Sequence, residues 1–547
     1  MLAMAAFATS VAALMFARLT GRFLIASVAG AAVVLYLHGA VYLNFTSDDA
    51  YTSYRYAAHL GDGLGLVWNP GQHVDGYSSF LWVLILGVVR AIGADLVVSG
   101  RWLGLAAGAA AGGAAFLLAE ALVERKRAGQ YAGLAAALTL AASGPFALWS
   151  HAGAETPLFA LLVATAAILH IREQRASVLP ASGAVWALVL LTRNDGIVLF
   201  AVSALFKVSE LILAADGDRE RPAPPQTAAR TLALWGGMFA AIYVPYFLWR
   251  YATYGWPFSN TYYARVDGGL GQYELGLAYL VDFAQQYAAW LAVLAAPALL
   301  LRGLRRSAAA YVLAMLAAWA LYVVGTGGDE GQRFRSFAEV LPLLYAAAAA
   351  SIAVLLTSLR IDGTRAPALR GGAAALIGAG LIAFTLQSTP NHPYAITVGI
   401  ERQDERDRVE IGRWLREHAP HDASIAVLAA GAIPYESRLA SIDMRGTNDE
   451  HIAHGPGAGH ERADPAYVVG LRPDAIILFD TLRPSAASRR EYDQLLFSAR
   501  LAVREMVKDP GLWRDYEPRG AKIGDRWFSV LVRRDSPLLV ETDAASQ

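Results

Sequence analysis

Apolar runs long enough to cross a bilayer recur from about residue 23 to about residue 387, and nothing else limits the fold of this chain so tightly. They lie near 23–43, 101–122, 130–149, 155–171, 179–192, 195–207, 230–250, 286–301, 308–326, 337–358 and 370–387, about eleven in all. The two between 179 and 207 are short. Composition agrees: of 547 residues 56% are hydrophobic and 17% charged, with mean hydropathy +0.37. A soluble domain carries about a quarter charged residues. The pattern predicts a polytopic α-helical membrane protein. Residues 1–16 are apolar too, but they lack a basic flank and a cleavage site. They read as an N-terminal extension or interfacial helix rather than a signal peptide.

The connections fall into two chemical sets. One is basic: Arg18 and Arg22, "ERKRAG" at 124–129, "REQR" at 172–175, "DGDRERP" at 216–222, "RGLRR" at 302–306 and "RIDGTRAPALR" at 360–370. The positive-inside rule puts these in the cytoplasm. The other set is rich in Asp, Glu, His, Tyr and Gly. It comprises 44–100, "SHAGAET" at 150–156, "TRND" at 192–195, 251–285 and "GGDEGQRFR" at 327–335, all on the opposite side. The alternation holds only if the apolar stretch 80–97 is a juxtamembrane helix, because a span there would force "ERKRAG" outside. After residue 387 hydropathy drops. Residues 400–418 read as a polar helix, and "SIAVLAAGAIPY", "RLASIDMRG" and "DAIILFD" as short buried strands. The chain therefore divides into a membrane domain, 1–387, carrying a large first external loop, and an extracytoplasmic α/β domain, 388–547.

Lys plus Arg and Asp plus Glu both number 46, so no net charge draws the chain to nucleic acid. The absence of cysteine excludes disulfides, thiolate catalysis and Cys-based metal sites. Walker A, HExxH, nucleophile-elbow and dinucleotide motifs are absent.

The unusual chemistry sits in the external loops. Asp48 and Asp49 stand at the mouth of the first span, where a carboxylate can take a hydroxyl proton as general base, or hold a divalent cation if a third ligand joins. The ordinary alternative is helix capping by "TSDDAY". Arg193 and Asp195 occupy a hairpin tip, and Arg333 and Arg335 follow Asp329 and two glycines. A guanidinium fork matches a lipid phosphate, although an arginine at this depth also serves as an interfacial anchor or half of an Asp–Arg pair. Glu155 opens a span, where a structural N-terminal acid is the ordinary reading. "YGWPFSNTYYAR" at 254–265, which holds Tyr262, lies at headgroup depth, where aromatic-belt anchoring is the ordinary role. His460 sits in a glycine-rich loop of the outer domain, where most histidines are inert.

Taken in order, the first-loop acids, "GLGLVWNPG", "GYSSFLW", "AGAET", "LTRND", "YGWPFSNTYYA", "GGDEGQRF" and "GHERADP" resemble one family. The chain is similar to the GT-C membrane glycosyltransferases, in the branch of the terminal β-(1→2) arabinofuranosyltransferases, over about residues 40–480. The resemblance implies an inverting enzyme of the bacterial plasma membrane, with its active site on the extracytoplasmic face. It would move a sugar, arabinofuranose or a related pentose, from a polyprenyl-phosphate donor to a glycan, protein or lipid acceptor. It implies Asp48 as the essential acid with Asp49 beside it. Arg333, Arg193, Arg335 and Tyr262 would hold the donor phosphate and lipid, and Glu155, Asp195, Asp329 and His460 the substrate. No cofactor is implied with certainty, and a divalent cation stays open. The chain departs from the family where Arg-Pro-Glu becomes Arg193-Asn194-Asp195 and where Phe gives way to Glu330 in the Gly-Gly-Asp loop. Alternatives are a hexosyl or aminosugar transferase acting on protein or a lipid A-like acceptor, a flippase for lipid-linked sugars, and an envelope scaffold. A transporter should show inverted repeats and mid-membrane charges. Here the polar residues crowd one face.

Overall fold

The structure is a computed structural model that describes residues 2–42, 45–174, 178–215, 225–265, 269–287, 303–329, 334–358, 393–458, 461–498 and 500–538. The expected spans at 286–301 and 370–387, together with Arg333 and His460, lie wholly or almost wholly outside these residues. Two compact units emerge. The first comprises 1–43, 100–248 and 271–398, and the second 44–99, 249–270 and 399–547.

The first unit is helical. Among the described residues, five helices are long and apolar enough to cross a membrane: Leu96–Leu122, Thr156–Glu173, Ala228–Tyr254, Arg306–Thr326 and Leu341–Ser358. A sixth crossing arises if Lys126–Ala142 and Gly144–His151 act as one, bent by 65°. The sequence predicts that pair as one continuous run. Pro145 lies in the first turn of the second helix, where it has no N–H to give and its ring excludes the carbonyl four residues back. Ser143 turns extended, with φ −69° and ψ 124°, and the helix breaks. The hairpin at 182–215 is asymmetric: Ser182–Thr192 spans 11 residues and Ile197–Ala215 spans 19. Small residues let helices approach closely. A Cβ on Gly183 would sit 2.1 Å from the Trp235 carbonyl oxygen, and one on Gly133 would sit 2.4 Å from the Phe116 ring.

The second unit is built on a five-stranded sheet. Its strands are β1 (Ser424–Val427), β2 (Ala440–Asp443), β5 (Ala475–Ile477), β6 (Tyr516–Ile523) and β7 (Arg526–Arg533), in the order β2-β1-β5-β7-β6. β3 (Gly457–Ala458) and β4 (Glu461–Arg462) form a separate ribbon. β1 runs parallel to β2 and β5, while β7 is antiparallel to β5 and β6. The period of two divides the core between the faces: Ile425, Val427 and Ile477 pack with Ile411 of the helix Pro393–His418, and Ala426, Ile476 and Leu478 with Val503 and Leu512.

The long loop after the first helices, residues 44–99, belongs to this unit. It forms the helices Asp48–Gly61 and Phe80–Ala91, and the 12 residues of the latter reach about 18 Å, short of a ~30 Å hydrocarbon core. Buried Arg55 holds the loop to the sheet. Its guanidinium donates to the carbonyls of Trp68 at 2.9 Å and Leu439 at 2.8 Å, to that of Pro434, and to the Asn69 side chain at 3.0 Å. Asn69 in turn accepts from Ser441 N–H at 2.9 Å and donates to Ser441 C=O at 3.0 Å. It thereby continues the ladder at the β2 edge.

Candidate functional site

Two groups of charged residues carry the candidate chemistry, one in each unit.

In the helical unit the chain breaks at Arg193, which is extended (φ −154°, ψ 131°), before the short 3-10 turn Asn194–Gly196. Glu155 holds the N-cap position of Thr156–Glu173, yet its side chain makes no cap. It accepts instead from Arg193 at 3.0 Å and from Arg335 at 2.6 Å. Arg193 also binds Asp195 at 2.6 Å and lies 3.2 Å from buried Glu339. Arg335 opens the short helix Arg335–Ala338 after Phe334, a non-glycine residue with φ 53°. Its backbone N–H donates to Asp329 at 3.0 Å, and its guanidinium lies 4.9 Å from the centre of the Trp149 ring. Gly327 and Gly328, at φ 81° and 80°, turn the chain into this loop.

Arg193, Arg335, Glu155, Asp195 and Asp329 are thus brought together as the sequence places them, all at helix ends. The balance of charge is less expected. The two guanidiniums face the carboxylates of Glu155, Asp195 and Glu339, so each positive charge is already met. Burial pushes the Glu155 carboxyl up, but Arg335 and Arg193 outweigh it and hold it below its ordinary range. Glu339 goes the other way. Burial, opposed by Arg193 and reinforced by Asp195, pushes it up to about 8. Neither Glu339 oxygen has a hydrogen-bond partner among the described residues. Sequence reasoning passes over Glu339, although an acid beside an apolar run is a signal in its own right.

In the second unit Asp48 and Asp49 open the helix Asp48–Gly61, with Ser47 at the N-cap and no side-chain cap. The capping alternative thus holds in placing both acids in the first turn, though Ser47 itself makes no side-chain cap. Asp48 is half-buried and Asp49 exposed. The Oδ1 of Asp48 accepts from Ala432 N–H at 3.0 Å, and its Oδ2 accepts no hydrogen bond among the described residues. The carboxyl is pressed against Gly431, where a Cβ would lie 2.4 Å from its carbon. Thr52 adds a bond to the Ala430 carbonyl at 3.0 Å, and Tyr51 donates to Glu405 at 2.7 Å. Asp48 lies one turn before Tyr51 and Arg408 one turn after Glu405, so helical spacing carries the Arg408 charge toward Asp48. Arg408 itself is held by Asp480 at 2.8 Å. Burial raises the Asp48 carboxyl above its ordinary range, and Arg408 only partly offsets it. Arg408 and Asp480 carry no sequence signal, since charges are commonplace in a soluble domain.

Tyr262 lies on the short helix Asn260–Arg265 with an exposed ring, in contact with Phe258 and Tyr263. Among the described residues no group of three His, Asp or Glu side chains is spaced to hold a metal ion.

Comparison with known proteins adds the fold. Residues 396–531 match a family described as "Domain of unknown function (DUF8728)". No curated protein matches the chain in sequence. Among solved structures, the chain is similar to ArnT from Cupriavidus metallidurans bound to undecaprenyl phosphate. The TM-score is 0.56 at 13% identity, covering 93% of this chain and 98% of that one. The apo state of the same protein gives 0.50 at 13%, covering 89% and 93%. The apo oligosaccharyltransferase of Archaeoglobus fulgidus gives 0.53 at 13%, covering 95% and 76%. At such identity the likeness is one of fold. The chain is a polytopic membrane protein with the GT-C fold, mostly helical, with a small C-terminal sheet domain.

Proposed function

We propose that the protein is an inverting glycosyltransferase of the bacterial plasma membrane. It moves a sugar, arabinofuranose or a related pentose, from a polyprenyl-phosphate carrier to a hydroxyl of a cell-envelope glycan. The observation that carries the reading is Asp48: a half-buried carboxyl fixed through one oxygen by Ala432 N–H, with no hydrogen bond to the other oxygen among the described residues and the basicity raised by burial. The fold supports it, since a neighbour of that fold is bound to undecaprenyl phosphate.

In this reading Asp48 takes the acceptor hydroxyl proton as the oxygen attacks the anomeric carbon. The bond from that carbon to the phosphate oxygen breaks, and the polyprenyl phosphate leaves with its electron pair. Inversion follows from direct attack. Asp49 stands beside Asp48 as an exposed second carboxylate, and a divalent cation at the pair would need a third ligand. Arg193 and Arg335, with Arg333, serve the departing phosphate. Because Glu155, Asp195 and Glu339 already engage the first two, the phosphate must displace a carboxylate or meet a protonated Glu339.

The test is transfer by purified protein from a panel of synthetic polyprenyl-phosphate sugars. Asp48→Asn should lower turnover about 100-fold or more while the protein stays folded. Arg193→Lys and Arg335→Lys should weaken donor use, since lysine keeps charge and loses the fork. Full activity in Asp48→Asn would end the general-base assignment, and no transfer from any donor would end the transferase reading. The domain division at residue 387 and the outward orientation are part of the proposal. Single cysteines at positions 72 and 126 of this cysteine-free chain should label from opposite sides of the membrane, and labelling from one side would refute that topology.

A further inference from the structure

The second unit carries an exposed group of aromatic rings, of which the sequence resemblance gives only Tyr262 a part, at the donor lipid. Trp256 and Tyr263 both pack on the His454 imidazole, with ring centres 3.8 and 4.3 Å away. Phe258 and Tyr262 extend the group, 4.7 Å apart. Trp256, Phe258 and Tyr262 remain 38%, 51% and 46% exposed.

These rings are anchored to the sheet domain. Asn260 donates to the carbonyls of Gly446 at 2.7 Å and Thr447 at 3.0 Å, and its own N–H donates to the Asp75 carbonyl at 2.9 Å. Trp256 Nε1 donates to exposed Glu450 at 2.6 Å. Nearby, His451 pairs with Asp464 at 2.8 Å, and Tyr467 stacks on His451 and donates to Asp449 at 3.2 Å. His454 Nε2 is buried with no partner among the described residues.

We propose that Trp256, Phe258, Tyr262 and Tyr263, with Glu450 and His454 at their edge, form a binding subsite for the sugar rings of a polysaccharide acceptor. A sugar ring shows an apolar C–H face, which stacks on an aromatic face, and a rim of hydroxyls, which need carboxylate or imidazole partners. The group supplies both. Burial holds the His454 imidazole below its ordinary range, so it packs against Trp256 and Tyr263 as a neutral ring, and the Glu450 carboxylate faces the hydroxyl rim. A bilayer surface is the poorer occupant. Interfacial belts pair their rings with lysine and arginine, whereas here Arg462 near His454 is outnumbered by Glu450, Asp449 and Asp464, which would repel anionic headgroups.

The proposal rests on the transferase reading only in calling the saccharide an acceptor, so its test measures binding directly. The full chain in lipid nanodiscs is titrated with short arabino-, galacto-, manno- and gluco-oligosaccharides by calorimetry. At least one should bind. Trp256→Ala, and separately the pair Phe258→Ala with Tyr262→Ala, should weaken it about ten-fold, whereas Trp256→Phe should retain most affinity. The exposed pair covers the case in which Trp256→Ala fails to fold. If the parent chain binds a saccharide in this way but transfers no sugar from any donor, the transferase reading alone fails. A spin label at Phe258→Cys should meet a water-soluble relaxant and be shielded by added saccharide. No binding by any oligosaccharide, equal binding by the alanine variants, or a label preferentially reached by oxygen in lipid would each overturn the subsite.

Discussion

Gly431→Ala tests the placement of Asp48 without touching its chemistry. The added Cβ would lie 2.1 Å from the backbone oxygen of Asp48 and 2.4 Å from its carboxyl carbon. Ordinary contact between carbons begins near 3.5 Å, so one side must retreat by about 1 Å. The backbone oxygen cannot rotate away as a side-chain tip can. The first turn of Asp48–Gly61 must therefore shift, and the 3.0 Å bond from Ala432 N–H is lost or lengthened. Overpacking of this kind costs about 1–3 kcal/mol of stability. A catalytic group misplaced by about 1 Å can cost about 100-fold in rate, equivalent to about 2.7 kcal/mol of barrier. Steady-state transfer with a donor the parent accepts, alongside a thermal melt, separates the two effects. The expected variant is folded, binds donor lipid, and has a turnover about 100-fold lower. A folded Gly431→Ala enzyme with parental turnover would show that the position of Asp48 does not matter, and the base would have to be sought elsewhere.

Two further predictions concern protons. Arg408 favours the ionised form of Asp48, so Arg408→Gln should move the acid limb of the pH–rate profile to higher pH while activity at alkaline pH recovers; an unmoved limb would separate Arg408 from the base. Glu339 is pushed up to about 8 in the fold against an ordinary value near 4.5. Its contribution to stability is complete below about pH 4.5 and is lost as pH rises toward 8, roughly 3 kcal/mol by pH 7. Thermal melts should therefore show Glu339→Gln gaining on the parent from pH 5 to 8, and parallel curves would refute the buried, protonated carboxyl.

The helices of the membrane unit and the acids and arginines at their ends are legible in the sequence, because lipid makes both long apolar runs and their charged interruptions conspicuous. Glu155, Arg193 and Arg335 stand out for that reason. Glu339 does not, because "FAEVLPLLY" reads as the start of a span. The sheet is half legible: β1, β2 and β5 fall inside the apolar stretches "SIAVLAAGAIPY", "RLASIDMRG" and "DAIILFD". The hairpin of β6 and β7 is passed over although Gly524 and Asp525 mark its turn. What sequence cannot supply is partnership at long range. Nothing in "TSYRYAAH" says that its arginine will be surrounded by carbonyls of residues 434 and 439, nor does "LAAGAIPY" say that its glycine exists to admit an aspartate.

That partnership has a consequence for how the protein is made. Arg55 and its acceptor at Leu439 are 384 residues apart. At about 5–20 residues per second, the ribosome needs roughly 20–80 s to deliver the second after the first. For that interval the first loop waits without the strand edge it will join, its arginine, Trp68 and Asn69 hydrated. A chain stopped before residue 441 could insert its first helices but could not complete the loop that carries Asp48. Truncation at the C-terminal end should therefore reach the chemistry at the N-terminal end, and the acquisition of an active loop can serve as a clock for the completion of synthesis.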